Sequence, residues 1–380
     1  MATYNLIATA TFGLEAVVKR ELEQLGYDNL SVENGKVSFR GTPVDIVRTN
    51  LWLRSADRVL LEVGSFTAVT FDQLYDQIRR LPWQDFVPED GTVLVDASSV
   101  KSKLFSLRDI QKISKKAISD KLMWAFKSDW LQEGGPRYRV KVSILNNNVS
   151  VTLDTSGEGL HKRGYRVESV EAPLKETLAA ALIQLSYWDK TRVLFDVFCG
   201  SGTIPIEAAM IGRNIAPGLN RDFDSKHWDK FIPQAIWKEE TKAAFQAMDY
   251  DAPLQIYASD ISEENLEKAK ENAIEAGVDD AIQFTLADFK DVDYSMEYGV
   301  LISNPPYGER LLDETAIISL TKTMRQVFHP LSTWSIYLLT SFETFEQVYQ
   351  KPSNRRRKLY NGRLETWFYQ YYGPRPPQDN

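Results

Sequence analysis

Apolar positions recur along the chain at two periods, and the places where one gives way to the other outline its elements. YNLIATA alternates as a strand, and GLEAVVKRELEQLG carries Leu14, Val17, Val18, Leu22 and Leu25 on one side of a helix that Gly26 ends. LSVEN and KVSFR flank Asn34-Gly35, a strong hairpin signal. The helix PVDIVRTNLWLR and the strand RVLLEVGSF complete the order βαββαβ. That order predicts a small ferredoxin-like α+β domain over residues 1–66.

A second α+β unit is predicted over 67–165. FDQLYDQIRRLPW reads as a helix and TVLVDASSV as a strand, and LRDIQKISKKAISDKLMWAF has helical spacing at Ile110, Ile113, Ile118, Leu122 and Trp124. RYRVKVSIL and NVSVTLDTS follow as strands joined through Asn146, Asn147 and Asn148. The unit closes on GEGLHKRGYR, where glycines alternate with basic residues. Such a loop can set backbone amides and guanidinium groups against phosphates.

From 166 to 380 strands alternate with helices, the pattern of a mostly parallel sheet covered on both faces. TRVLFDV, QIYASD, AIQFTLAD, YGVLISN and STWSIYLLTS are the strands. TIPIEAAMIG and ISEENLEKAKENAIEAG are helices, the second with Ser262 as candidate N-cap. RRKLYNGRLETWFYQYY predicts a closing antiparallel pair around Asn361-Gly362, and a polar, aromatic-rich insertion at about 214–250 interrupts the alternation.

Composition narrows the class. With 43% hydrophobic and 26% charged residues the chain is a soluble globular protein, and no run of about 18 apolar residues offers a membrane span. The first residues lack a basic and then apolar leader, and one cysteine, Cys199, rules out an intrachain disulfide framework; both fit a cytoplasmic protein. Three scattered histidines give no metal-ligand spacing, so no metal is expected. Net charge is −7, which alone argues against a nucleic-acid partner, yet residues 99–166 hold 14 Lys and Arg against 6 Asp and Glu. A basic segment joined to an acidic one implies that the first meets a polyanion. Lys101, Lys103, Lys112, Lys115, Lys116, Lys162, Arg163 and Arg166 are its candidate phosphate contacts; a solvated charged helix is the simpler alternative for the run near Lys112.

In an open parallel sheet ligands collect beyond the carboxyl ends of the strands. Four segments fall there: Asp196 to Gly202, Asp260, Asp288, and Asn304 to Tyr307. Phe198, Cys199, Gly200, Gly202 and Thr203 form a loop that opens a helix, where glycines let a ligand approach the backbone. Asp260, followed by Ile261, is placed for ribose hydroxyls; Asp288 can take an exocyclic amino proton, with Phe289 as an adenine platform. Alone, an aspartate after a strand is usually a helix cap, and each glycine reads as a tight turn. The loop has neither GxxxxGK[ST] nor GxGxxG, so an adenosine ligand without pyrophosphate fits better. S-adenosylmethionine meets that description.

ISNPPYGER then acquires a role. Asn304 and Pro305 can offer two carbonyl acceptors to a planar amino group, Pro306 limits the backbone, and Tyr307 can stack on the base. Adenine N6, cytosine N4, guanine N2 and a glutamine amide all present such a group.

DVFCGSGTIPIEAA, ASD, AD and ISNPPYGERL resemble the motifs of class I amino methyltransferases, a Rossmann-like fold. LDTSGEGLHKRGYR running into APLKETLAAAL resembles the junction of a THUMP domain with its methyltransferase domain, and RRRKLYNGRLETWFYQY the final strands of the same group. Together they cover nearly the whole chain. They point to the THUMP-containing 23S ribosomal RNA guanine-N2 methyltransferases, like the amino-terminal half of the large fused bacterial enzyme. The resemblance implies RNA capture by residues 1–165, on 23S rRNA or a large-subunit assembly intermediate, and methyl transfer by 166–380. It implies that Asp196, Gly200 and Gly202 shape the cofactor loop, Asp260 holds the ribose, Asp288 faces adenine, Asn304 to Tyr307 receive the base, and Lys175, Glu176 and Thr177 close over the methionine end. Val197 departs from the proline often found there. An adenine-N6 methyltransferase, a glutamine-amide methyltransferase and a catalytically silent RNA-binding module are the competing readings.

Overall fold

The structure, a computed structural model, describes residues 2–166, 173–306 and 313–377. Strands β1 (Tyr4–Ala10), β2 (Ser31–Glu33), β3 (Lys36–Gly41), β4 (Ala56–Thr67), β5 (Thr92–Val100), β6 (Arg137–Leu145) and β7 (Asn148–Asp154) form one sheet in the order β2-β3-β1-β4-β7-β6-β5. The first unit's edge therefore does not end at β4. This strand pairs with β1 through Leu61 and with β7 from Leu60 to Thr67, with a register shift between Glu62 and Gly64. Gly64 is the residue that fits there, because a Cβ would run into the Leu81 side chain. Both α+β units thus share a continuous sheet.

The insertion supplies the part of this core that periodicity did not assign. Phe223, Trp228, Phe231, Ile232 and Trp237 are buried with Leu6, Phe39, Val59 and Tyr138 in one cluster. Trp228 stacks on Tyr138 at 4.7 Å and donates its indole N–H to the Arg137 carbonyl at 2.9 Å. Arg48 pairs with Glu240 at 2.9 Å and Arg139 with Asp224 at 2.8 Å. Burying aromatic surface of this size contributes on the order of 2–3 kcal/mol per side chain, so these rings fasten the insertion to the N-terminal sheet.

The second sheet comprises β8 (Leu194–Asp196), β9 (Ile256–Asp260), β10 (Ile282–Leu286), β11 (Val300–Ser303), β12 (Ser335–Thr340), β13 (Arg355–Asn361) and β14 (Leu364–Tyr371), in the order β10-β9-β8-β11-β12-β14-β13. Its first five neighbours run parallel, and β14 and β13 close it antiparallel. Every residue of β8, β11 and β12 is buried, as expected for strands covered on both faces. Ser262 caps the helix Glu263–Glu275 by accepting from the Asn265 N–H. The strand order reverses at β8, whose neighbours are β9 and β11, and the site forms at that crevice.

Candidate active site

Strand β8 ends at Asp196, and the chain then turns through Phe198 to Gly202 into the helix Thr203–Gly212. Gly200 and Gly202 take positive φ of 52° and 80°. They serve different ends. A Cβ on Gly202 would press on Ala269 at 3.0 Å, so this glycine lets two helices close, whereas one on Gly200 would meet nothing within 4 Å. Gly200 thus leaves open space beside the backbone where a ligand can approach. Its N–H donates to Asp260 Oδ2 at 2.9 Å, while Asp260 Oδ1 accepts from the Ser262 N–H at 2.9 Å. One carboxylate thereby ties the glycine loop to the end of β9.

Two residues hold the loop from outside, one of them steadied by a third. Asn272 donates to the Ser201 carbonyl at 3.0 Å. Arg166 donates to Ser201 Oγ at 2.9 Å, to Thr203 Oγ1 at 3.0 Å and to Glu176 Oε1 at 2.7 Å. Glu176 is buried at the start of the helix Glu176–Leu185. The expected phosphate ligand Arg166 is therefore an internal clamp, its donors already turned inward. Arg163 is a second correction: it is 2 % exposed, donating to the Leu160 carbonyl and pairing at 3.2 Å with the fully buried Glu207. No phosphate reaches it.

Asp196 is buried, and burial first pushes its carboxyl up to about 7, against the pull of hydrogen bonds from Ser303 and the Phe198 N–H. Ser303 Oγ donates to Asp196 Oδ1 at 2.7 Å and accepts from the Val197 N–H at 3.0 Å. Ser303 was not among the expected residues; its signal is that it is the one polar residue of VLIS, a strand buried throughout. Immediately after it, Asn304 lines the crevice with its side-chain oxygen buried and without a hydrogen-bond partner among the described residues. Pro305 is buried and Pro306 exposed. Tyr307 lies outside the described residues.

A cleft of ≈ 2100 Å³ opens over these strand ends. Asp196, Phe198, Cys199, Gly200, Thr203, Asp260, Ile261, Asp288, Phe289, Asn304, Lys175 and Glu176 line it; Gly202 and the buried Thr177 do not. Burial raises the Cys199 thiol well above its ordinary value, so it is a packing group and not a nucleophile. Phe289 is only 6 % exposed, its ring held against Phe198 at 5.0 Å and Phe328 at 5.7 Å. The expected stacking face is thus largely covered, and Ile261, 74 % exposed, is the free apolar surface instead. Asp288 pairs with Lys290 at 2.9 Å.

The N-terminal half and the insertion also line the cleft, with Arg137, Arg139, Lys162 and Arg221 beside Glu158, Asp222 and Asp224, and Arg363 joins from the β13–β14 turn. Of the expected lysines, Lys101, Lys103, Lys112 and Lys116 are exposed, Lys115 pairs with Glu133 at 3.0 Å and Lys162 with Glu158 at 3.1 Å. No helix is long and apolar enough to cross a membrane, among the described residues.

Comparison with known proteins matches three family models along the chain: the RlmL ferredoxin-like domain at residues 5–60, the THUMP domain at 68–154, and the RMKL-like methyltransferase domain at 163–370. YpsC of Bacillus subtilis (strain 168), which bears the name of an RNA methyltransferase, is 50% identical over 380 residues, covering 100% of this chain and 98% of its own. The ribosomal RNA large subunit methyltransferase K/L of Shewanella amazonensis (strain ATCC BAA-1098 / SB2B) is 32% identical over 379 residues; the match covers 97% of this chain and 53% of that protein. The crystal structure of SMU.472 in complex with SAH superimposes with a TM-score of 0.94 at 44% identity, covering 99% of this chain and 100% of the other. With a methyltransferase model spanning more than half its length and a relative half identical along all of it, the chain belongs to the RMKL-like methyltransferase family.

Proposed function

We propose that this enzyme, an S-adenosylmethionine-dependent RNA methyltransferase, modifies the N2 amino group of a guanine in 23S ribosomal RNA. The K/L relative is named for ribosomal RNA of the large subunit, SMU.472 was solved with SAH, the demethylated cofactor, and a THUMP domain precedes the methyltransferase domain. The observation that carries the acceptor assignment is the buried side-chain oxygen of Asn304 at the edge of the cleft, unpartnered among the described residues. A buried acceptor without a donor is costly, and an amino group supplies the missing donor.

The residues fit the cofactor: an open face at Gly200, an exposed Ile261, and the Asp260 carboxylate between them in sequence and in the loop network. When bound, S-adenosylmethionine supplies an electrophilic methyl group on a sulfonium. Gly200 and Ile261 bound its adenosine, Asp260 accepts from ribose hydroxyls, and Lys175 and Glu176 stand at the methionine side. Asn304 Oδ1 and the Pro305 carbonyl accept from the two amino hydrogens of the base. This draws the nitrogen lone pair out of conjugation, and the proton released after transfer passes to solvent in the open cleft. Holding reactants and acceptors in place is worth several kcal/mol without a dedicated base.

The two acceptors receive either amino group equally well, so guanine is chosen over adenine on the resemblance to guanine-N2 methyltransferases of ribosomal RNA and on the relative named for ribosomal RNA. Nucleoside mass spectrometry of ribosomal RNA from a strain lacking the gene tests the choice. Loss of N2-methylguanosine is the expected result; loss of N6-methyladenine would move the acceptor to adenine.

A further inference from the structure

The edge strand β13 carries four consecutive cations, Arg355, Arg356, Arg357 and Lys358, in a chain of net charge −7. Its two faces are treated differently. On one, Arg356 lies over the Trp367 ring at 4.4 Å with Glu346 at 3.7 Å, and Lys358 pairs with Glu365 at 2.6 Å. On the other, Arg355 and Arg357 have no ion-pair partner among the described residues, and the Nε–H of Arg357 is buried without an acceptor.

A third guanidinium joins them from the N-terminal half. The turn that leads into the helix Glu15–Gln24 meets this strand: an added Cβ at Gly13 would lie 2.8 Å from the Lys358 carbonyl, the Phe12 ring lies 6.2 Å from that of Tyr360, and Leu14 and Val17 belong to the same buried cluster as Leu359. One turn further along, the exposed Arg20 donates to the Gln184 carbonyl at 3.2 Å. Burial, and then the like charges of Arg355 and Arg20, hold the Arg357 guanidinium below its ordinary value, with only the Tyr372 hydroxyl acting the other way. Tyr187, 55 % exposed, packs against that Tyr372 ring at 4.8 Å. Like charges gathered without a counter-charge, one of them with an orphaned donor, are an arrangement that an anion relieves, and guanidinium forks match phosphate oxygens.

We propose that Arg20, Arg355 and Arg357 form a phosphate-binding site for the backbone of the RNA substrate, at the seam between the N-terminal half and the methyltransferase sheet. The site rests on the RNA reading above and lies apart from the cleft. Arg363, in the β13–β14 turn, lines the cleft, whereas Arg355 begins the strand, about 20 Å away at roughly 3.3 Å per residue. An RNA that reaches both is several nucleotides long, so the seam reads the structure around the target and not the target base.

Binding of deproteinised large-subunit ribosomal RNA, measured between 50 and 200 mM salt, tests the site. Arg20→Gln with Arg355→Gln should bind more weakly and with a shallower dependence of log K on log salt, by about two contacts' worth. Its SAH affinity should be unchanged and its melting temperature no lower, because the substitutions remove mutual repulsion. The control Arg356→Gln with Lys358→Gln alters the neutralised face and should keep the wild-type slope. A seam variant with the wild-type slope, or a control that loses as much, overturns the site while leaving RNA methylation standing. Wild-type protein that fails to bind the RNA overturns the RNA reading itself, and the site with it.

Discussion

Ser303 Oγ and Asp196 Oδ1 lie 2.7 Å apart, joining the last residue of β11 to the last residue of β8. The bond makes the acceptor corner and the glycine loop parts of one rigid unit, because Ser303 also receives the Val197 N–H at 3.0 Å. Ser303→Ala should cost about 1–3 kcal/mol of stability, the cost of a lost buried hydrogen bond, read by denaturant unfolding. Single-turnover methyl transfer should fall while RNA affinity holds, since Ser303 is fully buried and offers no surface to RNA.

The buried carboxyl of Asp196 makes stability depend on pH. Its folded-state value of about 7 stands above the ordinary 3.8, so the folded protein binds the proton more tightly than the unfolded chain. The contribution is fully present below about pH 4 and is lost as pH rises towards 7. Subtracting the stability profile of Asp196→Asn from that of the wild type should leave a component that declines across this window and is flat above it. A component that rises with pH would mean that the carboxyl is held ionised.

Asn304→Ala removes the unpartnered acceptor. Loss of one preorganised hydrogen-bonding group typically slows catalysis about 10²–10³-fold, and the substitution should do so with SAH and RNA affinities within a few-fold of wild type. Near-normal turnover would remove Asn304 from the reaction. Stability should not fall, because the side-chain oxygen gives up no partner among the described residues.

Arg163→Ala should destabilise strongly, by about 3–5 kcal/mol, because it leaves Glu207 buried without its counter-charge. Double substitution to Arg163→Met and Glu207→Leu should recover most of that loss in thermal unfolding. The salt slope of RNA binding should be unchanged in the recovered protein, as befits a residue that no phosphate touches.

Local patterns made much of the fold legible. Asn34-Gly35 and Asn361-Gly362 marked two hairpins, both now formed with Gly35 and Gly362 at positive φ, and the apolar runs ending in Asp196, Asp260 and Ser303 are adjacent parallel strands. What sequence concealed was partnership at long range. Arg163 sits among glycines and other cations, which reads as a phosphate loop, but its partner Glu207 is a single charge in the apolar helix TIPIEAAMIG 44 residues away. That lone carboxylate was the available signal. Likewise Trp228 and Phe231 lie in an aromatic-rich polar stretch, yet nothing local specifies that the first stacks on Tyr138 and the second meets Tyr4 edge to face. Phe289 shows the converse: its place after β10 suited a stacking ring, but neighbouring rings cover it.

The insertion that sends Trp228 and Phe231 into the N-terminal core starts and ends in the methyltransferase sheet's own chain, between the helix Thr203–Gly212 and β9. It is thus a strut that ties the first sheet to the methyltransferase sheet carrying Asn304. A substrate long enough to touch both sheets is therefore measured against a span that the protein itself cannot stretch.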